Sequence, residues 1–303
     1  MSSSAAATEA ERAPDRLALG AFVGAVAIGG SNFVAVRFSN RELDPLWGAG
    51  LRFGLAAVVF GVLFAALRLT LPRGRVLALL LTYGLLAFAA AYGCLYWAMQ
   101  EVTAGVAAVV MAIGPLLTLL LAVAHRMERL HSRGLAGALI AIAGSALIFF
   151  QPGSVAFGWG SFALLVVAAL CASESVVISK RAGRQHPVVM NFVGMSAGAV
   201  VLLVASAAAG ERMTLPGDGE TQLALAYLVA ATVGLFVLVL VIVQRWTASA
   251  TAYVFVSMPV VALVLGAVMA DEPITPTTVL GGAIVGAGVY VGALAARGRR
   301  APE

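Results

Sequence analysis

Ten long apolar runs, separated by short polar connections, restrict this chain to one class of fold. The runs cover residues 17–37, 46–67, 76–99, 102–124, 134–150, 157–179, 188–209, 222–244, 247–270 and 277–296. A helix needs about 20 largely apolar residues to cross a bilayer, and a backbone in lipid must satisfy its own hydrogen bonds. The runs are too long and too continuously apolar for barrel strands. We therefore predict an all-α integral membrane protein with ten transmembrane helices.

The composition excludes most other classes of protein. Of the 303 residues, 61% are hydrophobic and 11% are charged, whereas about 25% of a soluble domain is charged. An ordinary soluble enzyme, a disordered chain and a secreted disulfide scaffold are thereby excluded. Cys94 and Cys171 lie inside apolar runs without metal or redox spacing, so we expect neither a metal nor a cofactor. The basic residues lie in gaps between the runs, which argues against a nucleic-acid partner and leaves the lipid bilayer as the surroundings.

The distribution of basic residues predicts the orientation of the chain. If the N-terminus is cytoplasmic, fifteen of the nineteen Lys and Arg residues fall in cytoplasmic segments, and only Arg37, Arg41 and Arg212 fall outside. The positive-inside rule then places both termini in the cytoplasm, at the inner membrane. Residues 1–16 are rich in Ala and Ser and are predicted to form a disordered cytoplasmic tail. Residues 297–303 are predicted to form a short basic cytoplasmic tail.

An internal repeat divides the chain into two halves, 17–150 and 158–296. Residues 103–149 align with 247–293 at a constant offset and without gaps, and the alignment pairs Pro115 with Pro259. Each half contains five runs, and because five is odd, the second half must enter the membrane upside down. We predict two inverted five-helix repeats. This arrangement is typical of alternating-access transporters, in which the substrate site lies between the halves near the midplane.

Two charged residues lie within the apolar runs, and each leaves two interpretations open. Glu174 lies in the inner third of the sixth run, where a carboxylate is costly and usually faces the bundle interior. It is either a path-lining site capable of proton coupling or a carboxylate that neighbours near the interface satisfy. Arg52 either reaches outward to pair with Asp44 or Glu42 or attracts an anion. For Arg52 we favour the structural interpretation.

Polar side chains in the first run are further candidates for lining a path. Ser31 and Asn32 follow a pair of glycines, and the repeat places Ser31 opposite Glu174. Symmetry-related polar positions in the first helix of each half are expected to face the path. The alternative is hydrogen bonding between helices at a contact of small residues.

Aromatic side chains in the third run recur every four residues and therefore share one helix face. They are Phe88, Tyr92 and Tyr96, followed by Gln100. We favour an aromatic belt with packing, since Tyr96 approaches the interface, over a surface that holds a flat or amphipathic molecule. Tyr253 and Ser257 form a similar pair on the ninth run.

Several other patterns are weaker. Pro115 and Pro259 lie within runs and are predicted to kink their helices. Glycine pairs with GxxxG spacing favour close helix packing and leave a homodimer open. His125, Glu128 and His131 have i, i+3, i+6 spacing in the connection between the fourth and fifth runs but do not favour a metal site.

Four segments resemble the drug/metabolite transporter superfamily, of the EamA type. They are GGSNFVAVR (29–37), PLWGAGLRF (45–53), residues 96–122 and residues 246–274. The resemblance covers about residues 17–296 and implies a ten-helix, inverted-repeat transporter of small metabolites such as amino acids, purine-like compounds or amphipathic toxicants. It implies a central cavity lined by helices one, three, four, six, eight and nine. The positions it favours for lining that cavity are Ser31, Asn32, Tyr92, Tyr96, Glu174 and Tyr253.

These observations together predict a secondary transporter that exports a small organic metabolite. No Walker A sequence occurs, so ATP is not expected to drive it. An intramembrane enzyme is disfavoured because no catalytic motif or paired intramembrane carboxylates occur. A receptor or assembly protein that does not transport is the remaining alternative.

Overall fold

The computed structural model describes residues 16–127, 132–149, 158–183, 185–245 and 248–291, and every regular element within them is a helix. The helices are α1 (Arg16–Ser39), α2 (Pro45–Ala66), α3 (Arg75–Ala98), α4 (Ala104–Ala124), α5 (Ser132–Phe149), α6 (Trp159–Arg181), α7 (Pro187–Ala209), α8 (Gly219–Arg245), α9 (Ala248–Met269) and α10 (Pro276–Val289). Six of them, α1 to α4, α6 and α7, are long and apolar enough to cross a membrane. Shorter apolar segments, Ser257–Met269 and Pro276–Gly288, lie in α9 and α10. The prediction of an all-helical fold of the membrane-spanning type is confirmed. The predicted tails, 1–16 and 297–303, lie outside the described residues except for Arg16, which begins α1.

The helices begin at residues that suit helix N-termini. Pro45, Pro187 and Pro276 each occupy a first helical position, where the missing N–H costs nothing. Thr103 and Thr275 precede α4 and α10, and their side chains accept hydrogen bonds from backbone N–H groups of the first turn.

Two of the long helices are irregular in the middle of the bundle. The segment Leu85–Ala90 of α3 is a π-helix, an irregularity that often marks functional sites. The helix α4 is interrupted at Ala112 and Ile113, directly ahead of Pro115. Pro259, by contrast, lies inside a helix that continues on both sides of it. The two prolines that the repeat aligns therefore lie in different backbone conformations: Pro115 follows an interruption, and Pro259 lies within a continuous helix.

The packing of the helices follows a regular exchange between the two halves. In the contacts between halves, α2 packs on α7 and α5 on α10, while α1 packs on α8 and α9. The helix α6 packs correspondingly on α3 and α4. If each helix is exchanged for the one five places along the chain, the contacts of α1 become those of α6, while the α2–α7 and α5–α10 contacts are unchanged. The largest apolar cluster lies where α1, α2, α3, α4, α6 and α7 meet, and it includes Phe53, Phe60, Phe88, Leu165 and Leu202.

Four connections meet at one end of the bundle, which we call the acidic end: residues 40–44, 99–103, 210–218 and 270–275. Glu211 accepts bonds from the backbone N–H groups of Leu46 and Trp47 at the start of α2, with distances of 3.1 and 2.8 Å. Glu42 accepts bonds from two N–H groups of the 210–218 connection. Glu101 accepts a bond from the Ser161 hydroxyl at the start of α6. The C-terminal end of α1 and the N-terminal end of α6 therefore lie at the same end of the bundle.

The opposite end, which we call the basic end, contains the connections 67–74, 125–127 and 182–186. Leu80 of α3 packs there on Ala182, Val189 and Val193. The cations Arg68, Arg73, Arg75, Arg126, Lys180 and Arg181 belong to this end by their place in the sequence. Charge therefore separates along the bundle axis as it does along the sequence.

Candidate functional site

A buried arginine lies at the centre of the candidate site. Only 2% of the surface of Arg52 on α2 is exposed. Its Nε donates to Thr232 Oγ1 at 3.0 Å, its Nη1 to the Tyr96 hydroxyl at 3.4 Å, and its Nη2 to Asn32 Oδ1 at 3.3 Å. All three acceptors are neutral, and they come from α8, α3 and α1. The side chain therefore joins three helices around α2.

The outward reach predicted for Arg52 is wrong. Asp44 instead accepts from the backbone N–H of Arg212 at 2.7 Å and lies 3.8 Å from its guanidinium. Glu42 is bonded to the backbone of the 210–218 connection. Because both carboxylates cap backbone groups at the acidic end, neither is available to Arg52. Among the described residues, no carboxylate lies within ion-pair distance of this guanidinium.

Aromatic rings surround the guanidinium. The Arg52 Cζ lies 5.1 Å from the centre of the Tyr92 ring and 5.2 Å from that of Phe53, within the range of cation–π contacts. The Phe53 ring in turn contacts Phe88 and Tyr92, with ring centres 5.0 and 4.7 Å apart. Phe88 and Tyr96 are both buried. The position in an aromatic belt that was expected for Tyr96 is therefore wrong, whereas packing accounts for Phe88.

The two polar residues of α1 lie in the same region and make different contacts. The Ser31 hydroxyl lies 2.5 Å from the Tyr227 hydroxyl of α8 and also donates to the carbonyl of Ala27. Asn32 is buried and accepts from Arg52. The preceding Gly30 allows α1 to lie close to α9, because a Cβ there would overlap the carbonyl oxygen of Met258.

We call the resulting group the central polar cluster. It consists of Ser31, Asn32, Arg52, Tyr92, Tyr96, Tyr227 and Thr232. Tyr227 and Thr232 were not identified as candidates from the sequence. They are polar interruptions of the apolar run 222–244, which is a signal of the same kind as Ser31 and Asn32 in the first run.

Glu174 is not bonded to the central polar cluster. Its Oε1 lies 2.7 Å from Nε2 of His125 at the C-terminal end of α4. The other ring nitrogen of His125 lies 2.7 Å from the Arg181 guanidinium, so the three side chains form a line towards the basic end. Glu174 Oε2 is buried without a hydrogen-bond partner among the described residues. The carboxylate therefore retains one acceptor oxygen that a proton or a substrate group could use.

A cavity of about 270 Å³ opens at the acidic end. Its lining consists of Arg37, Asn40, Arg41, Met99, Gln100 and Ala270. Arg37 also pairs with Glu272 at 3.2 Å, and Arg41 pairs with Glu220 at 2.8 Å. Asn40 donates to the carbonyl of Tyr96 at 2.8 Å. A residue of the cavity lining is therefore bonded directly to a member of the central polar cluster.

The remaining sequence candidates fall at the edge of the described structure. Ser257 is half-buried on α9. The side chain of Tyr253 lies outside the described residues, as do Glu128 and His131. Within the described part of the chain, no three His, Cys, Asp or Glu side chains are grouped as a metal site would require.

The sequence matches the EamA-like transporter family twice, over residues 16–150 and 158–293. It is 33% identical over 262 residues, 84% of each chain, to a protein of Escherichia coli (strain K12) named uncharacterized inner membrane transporter YedA. It is 30% identical over 289 residues, 91% of this chain and 94% of the relative, to a protein of the same strain named probable amino-acid metabolite efflux pump. A protein of Streptantibioticus cattleyicolor named probable terminal-alkyne amino-acid exporter is 28% identical over 278 residues, which is 90% of this chain and 92% of the relative.

The fold is similar to that of a protein of known crystal structure, with a TM-score of 0.65 and 18% sequence identity. The similarity covers 94% of this chain and 99% of that chain, and it concerns the fold alone. The family and the named relatives are transporters rather than enzymes. Since the two family matches cover most of its length, this chain belongs to the EamA-like transporter family, within the drug/metabolite transporter superfamily.

Proposed function

We propose that this chain is a secondary transporter that exports a small organic metabolite from the cell by alternating access between two inverted halves. The observation that carries the proposal is the central polar cluster, whose members come from helices of both halves. Polar and charged side chains within a membrane bundle are costly, and they usually mark a substrate or ion path. Relatives named for efflux of amino-acid compounds support a small-molecule substrate of this kind.

The proposed topology has ten spanning helices, with both termini in the cytoplasm and the acidic end outside. The charge separation between the two ends supports it, because basic residues are retained on the cytoplasmic side. Reporter fusions at residue 303, at residue 1 and within 210–218 test it. We expect the two termini to report the cytoplasm and the 210–218 connection to report the outside. Termini on opposite faces would contradict the inverted pairing.

The proposed path includes the central polar cluster together with Glu174, Tyr253 and Ser257. Within it, Glu174 is the candidate for proton coupling, because its carboxylate lies between helices of both halves and keeps an unbonded oxygen. Substrate exchange and downhill flux are the alternative driving modes, and flux measurements separate the three.

Flux through the purified protein in liposomes tests the proposed function. Vesicles that contain the protein and are loaded with radiolabelled amino acids, purines or aromatic acids should release at least one class faster than protein-free vesicles with the same load. Asn32→Ala should reduce that flux at least tenfold. Asn191→Ala is the matched control, because Asn191 is also buried but donates to Pro187 of its own helix. Absence of flux for every class, together with a stable protein partner in pull-down, would favour a receptor or assembly role instead.

A further inference from the structure

We propose that Arg52 binds the carboxylate of the exported substrate and that the substrate has a net charge of −1. This inference rests on the proposed function and specifies the chemistry of its site. It is carried by the hydrogen bonds of the guanidinium, by the location of the acids of the chain, and by the rings around Arg52.

The guanidinium has unused donors at its end. An arginine side chain carries five N–H groups, one on Nε and two on each terminal nitrogen. Arg52 makes one bond from each of its three nitrogens, so one N–H on Nη1 and one on Nη2 have no acceptor among the described residues. N–H groups on the terminal nitrogens of a guanidinium can donate the two parallel hydrogen bonds by which arginine binds a carboxylate. The two existing terminal bonds are long, at 3.4 and 3.3 Å, so a charged acceptor would compete well with them.

Among the described residues, no acid is placed to neutralise this cation. Of the fourteen acids in the sequence, Glu174 bonds to His125, and Glu272 bonds to Arg37 and the start of α4. The other described acids lie in the connections of the acidic end or, for Glu220, in the first turn of α8: Glu42, Asp44, Glu101, Glu211, Asp218, Glu220 and Asp271. A buried cation without an opposite charge beside it carries an unfavourable desolvation cost. A substrate anion supplies the missing charge.

The surroundings of Arg52 favour a singly charged substrate with an apolar body. The guanidinium lies beside the neutral side-chain oxygens of Asn32 and Thr232 and beside the rings of Tyr92 and Phe53. A free ammonium group would find no carboxylate there, so a zwitterion would bind more weakly than the matching organic acid. The rings offer apolar faces to the rest of the molecule.

The charge also supplies a driving force. The inside-negative membrane potential pulls a monoanion outward and by itself sustains about a fifty-fold gradient per 100 mV. The cavity at the acidic end is lined by Arg37 and Arg41, which pair with Glu272 and Glu220. An anion that follows the proposed outward direction therefore meets two guanidinium groups for which it competes with these carboxylates. Export of a monoanion therefore needs no additional ion.

Binding to the full-length protein in lipid nanodiscs tests the inference. The probes are propionate, phenylacetate and indole-3-acetate, with phenylacetamide as the neutral match and phenylalanine as the zwitterion, and the readout is the shift in thermal unfolding. At least one of the three acids should stabilise the protein at tenfold lower concentration than the amide or phenylalanine. Arg52→Lys should weaken binding about tenfold, since an ammonium lacks the fork, and Arg52→Gln should remove the preference for the acid. Arg75→Gln, which changes an exposed cation at the start of α3, should bind as the wild type does.

Flux of the same probes separates this inference from the proposed function. In liposomes with an imposed potential, efflux of the bound acid should rise when the inside is negative. If the amide and the acids bind equally, if none of the three acids binds, or if Arg52→Gln keeps the preference, the assignment of Arg52 is wrong. Flux of another metabolite would still support the transporter. Absence of flux for every metabolite class, with intact binding of an acid, would refute the transport function and leave the binding site.

Discussion

Replacing Arg52 by methionine should leave the stability of the protein nearly unchanged, although the residue is buried. The substitution Arg52→Met removes a cation that has only neutral hydrogen-bond partners among the described residues. Methionine fills a similar length of space and adapts its shape well. A residue kept for binding, rather than for folding, should be dispensable in this way.

The change in the free energy of unfolding for Arg52→Met is the balance of several opposing terms. Burial of the charge costs several kcal/mol even after relaxation. The bond to Thr232 has ordinary length and returns about 1.5–3 kcal/mol, whereas the bonds to Tyr96 and Asn32 exceed the usual range. Each ring contact adds about 0.5–2 kcal/mol. These terms nearly cancel. Because the substitution leaves Asn32 Oδ1 without a donor, which costs about 1–3 kcal/mol, the variant should lie within about 2 kcal/mol of the wild type.

Thermal unfolding in nanodiscs, followed by tryptophan fluorescence, measures the effect. Arg37→Met is the matched control, because Arg37 pairs with the buried carboxylate of Glu272. Breaking that pair should cost about 3 kcal/mol, the lower end of the range for buried pairs, since Arg37 is partly exposed. A loss above about 3 kcal/mol for Arg52→Met, equal to or larger than that of the control, would refute the reasoning and make Arg52 a structural residue.

Three further changes test other parts of the structure. Glu272→Gln keeps an acceptor for the start of α4 but removes the ion pair with Arg37, so it should cost about 1.5–3 kcal/mol in thermal unfolding; losses that simply add in the double variant with Arg37→Met would show that the pair contributes nothing. Gly84→Ala should cost about 1–3 kcal/mol, because its Cβ would overlap the carbonyl oxygen of Gly194 and push α3 from α7; an unchanged melting temperature would contradict this contact. If Glu174 couples protons, Glu174→Gln should abolish flux driven by a pH gradient and preserve substrate exchange, and equal pH-driven flux in both proteins would exclude the coupling.

The helical segments were predictable because hydropathy and charge determine them together. The predicted run 46–67 corresponds to α2 at Pro45–Ala66, and the run 188–209 corresponds to α7 at Pro187–Ala209. Proline and short polar connections fix these ends. The π-helical segment Leu85–Ala90 was not predictable, because its residues are as apolar as those of the regular turns around it. The interruption of α4 at Ala112 lies directly ahead of Pro115, where the sequence had predicted a kink.

The candidate site was only partly predictable for a related reason. A position in a run gives the depth of a side chain in the bilayer, but not the direction in which it points. In a soluble helix the apolar stripe shows the direction; here lipid-facing and core-facing sides are equally apolar. Arg52 was therefore expected to extend towards the acids at the end of the bundle, whereas its side chain lies in the bundle interior and bonds to three other helices. Ser31 and Asn32 were proposed from the repeat, and both contact other helices of the bundle, although Glu174, the repeat partner of Ser31, bonds to His125 instead.

The two ends of the bundle are closed by different chemistry, and this difference bears on which end opens more easily. At the acidic end, Glu272 follows α9 and holds Arg37 of α1 and the N–H of Ala104 at the start of α4. When this end opens, water hydrates both partners of each bond, so the net cost of breaking a bond to a charged group is about 1.5–3 kcal/mol. At the basic end, Leu80 is fully buried against α6 and α7, and exposing apolar surface costs about 25 cal/mol per Å². A substrate anion that reaches the cavity beside Arg37 would also compete with Glu272 for the guanidinium. The closure at the acidic end is therefore the one that a departing anion can weaken, as export towards that end requires.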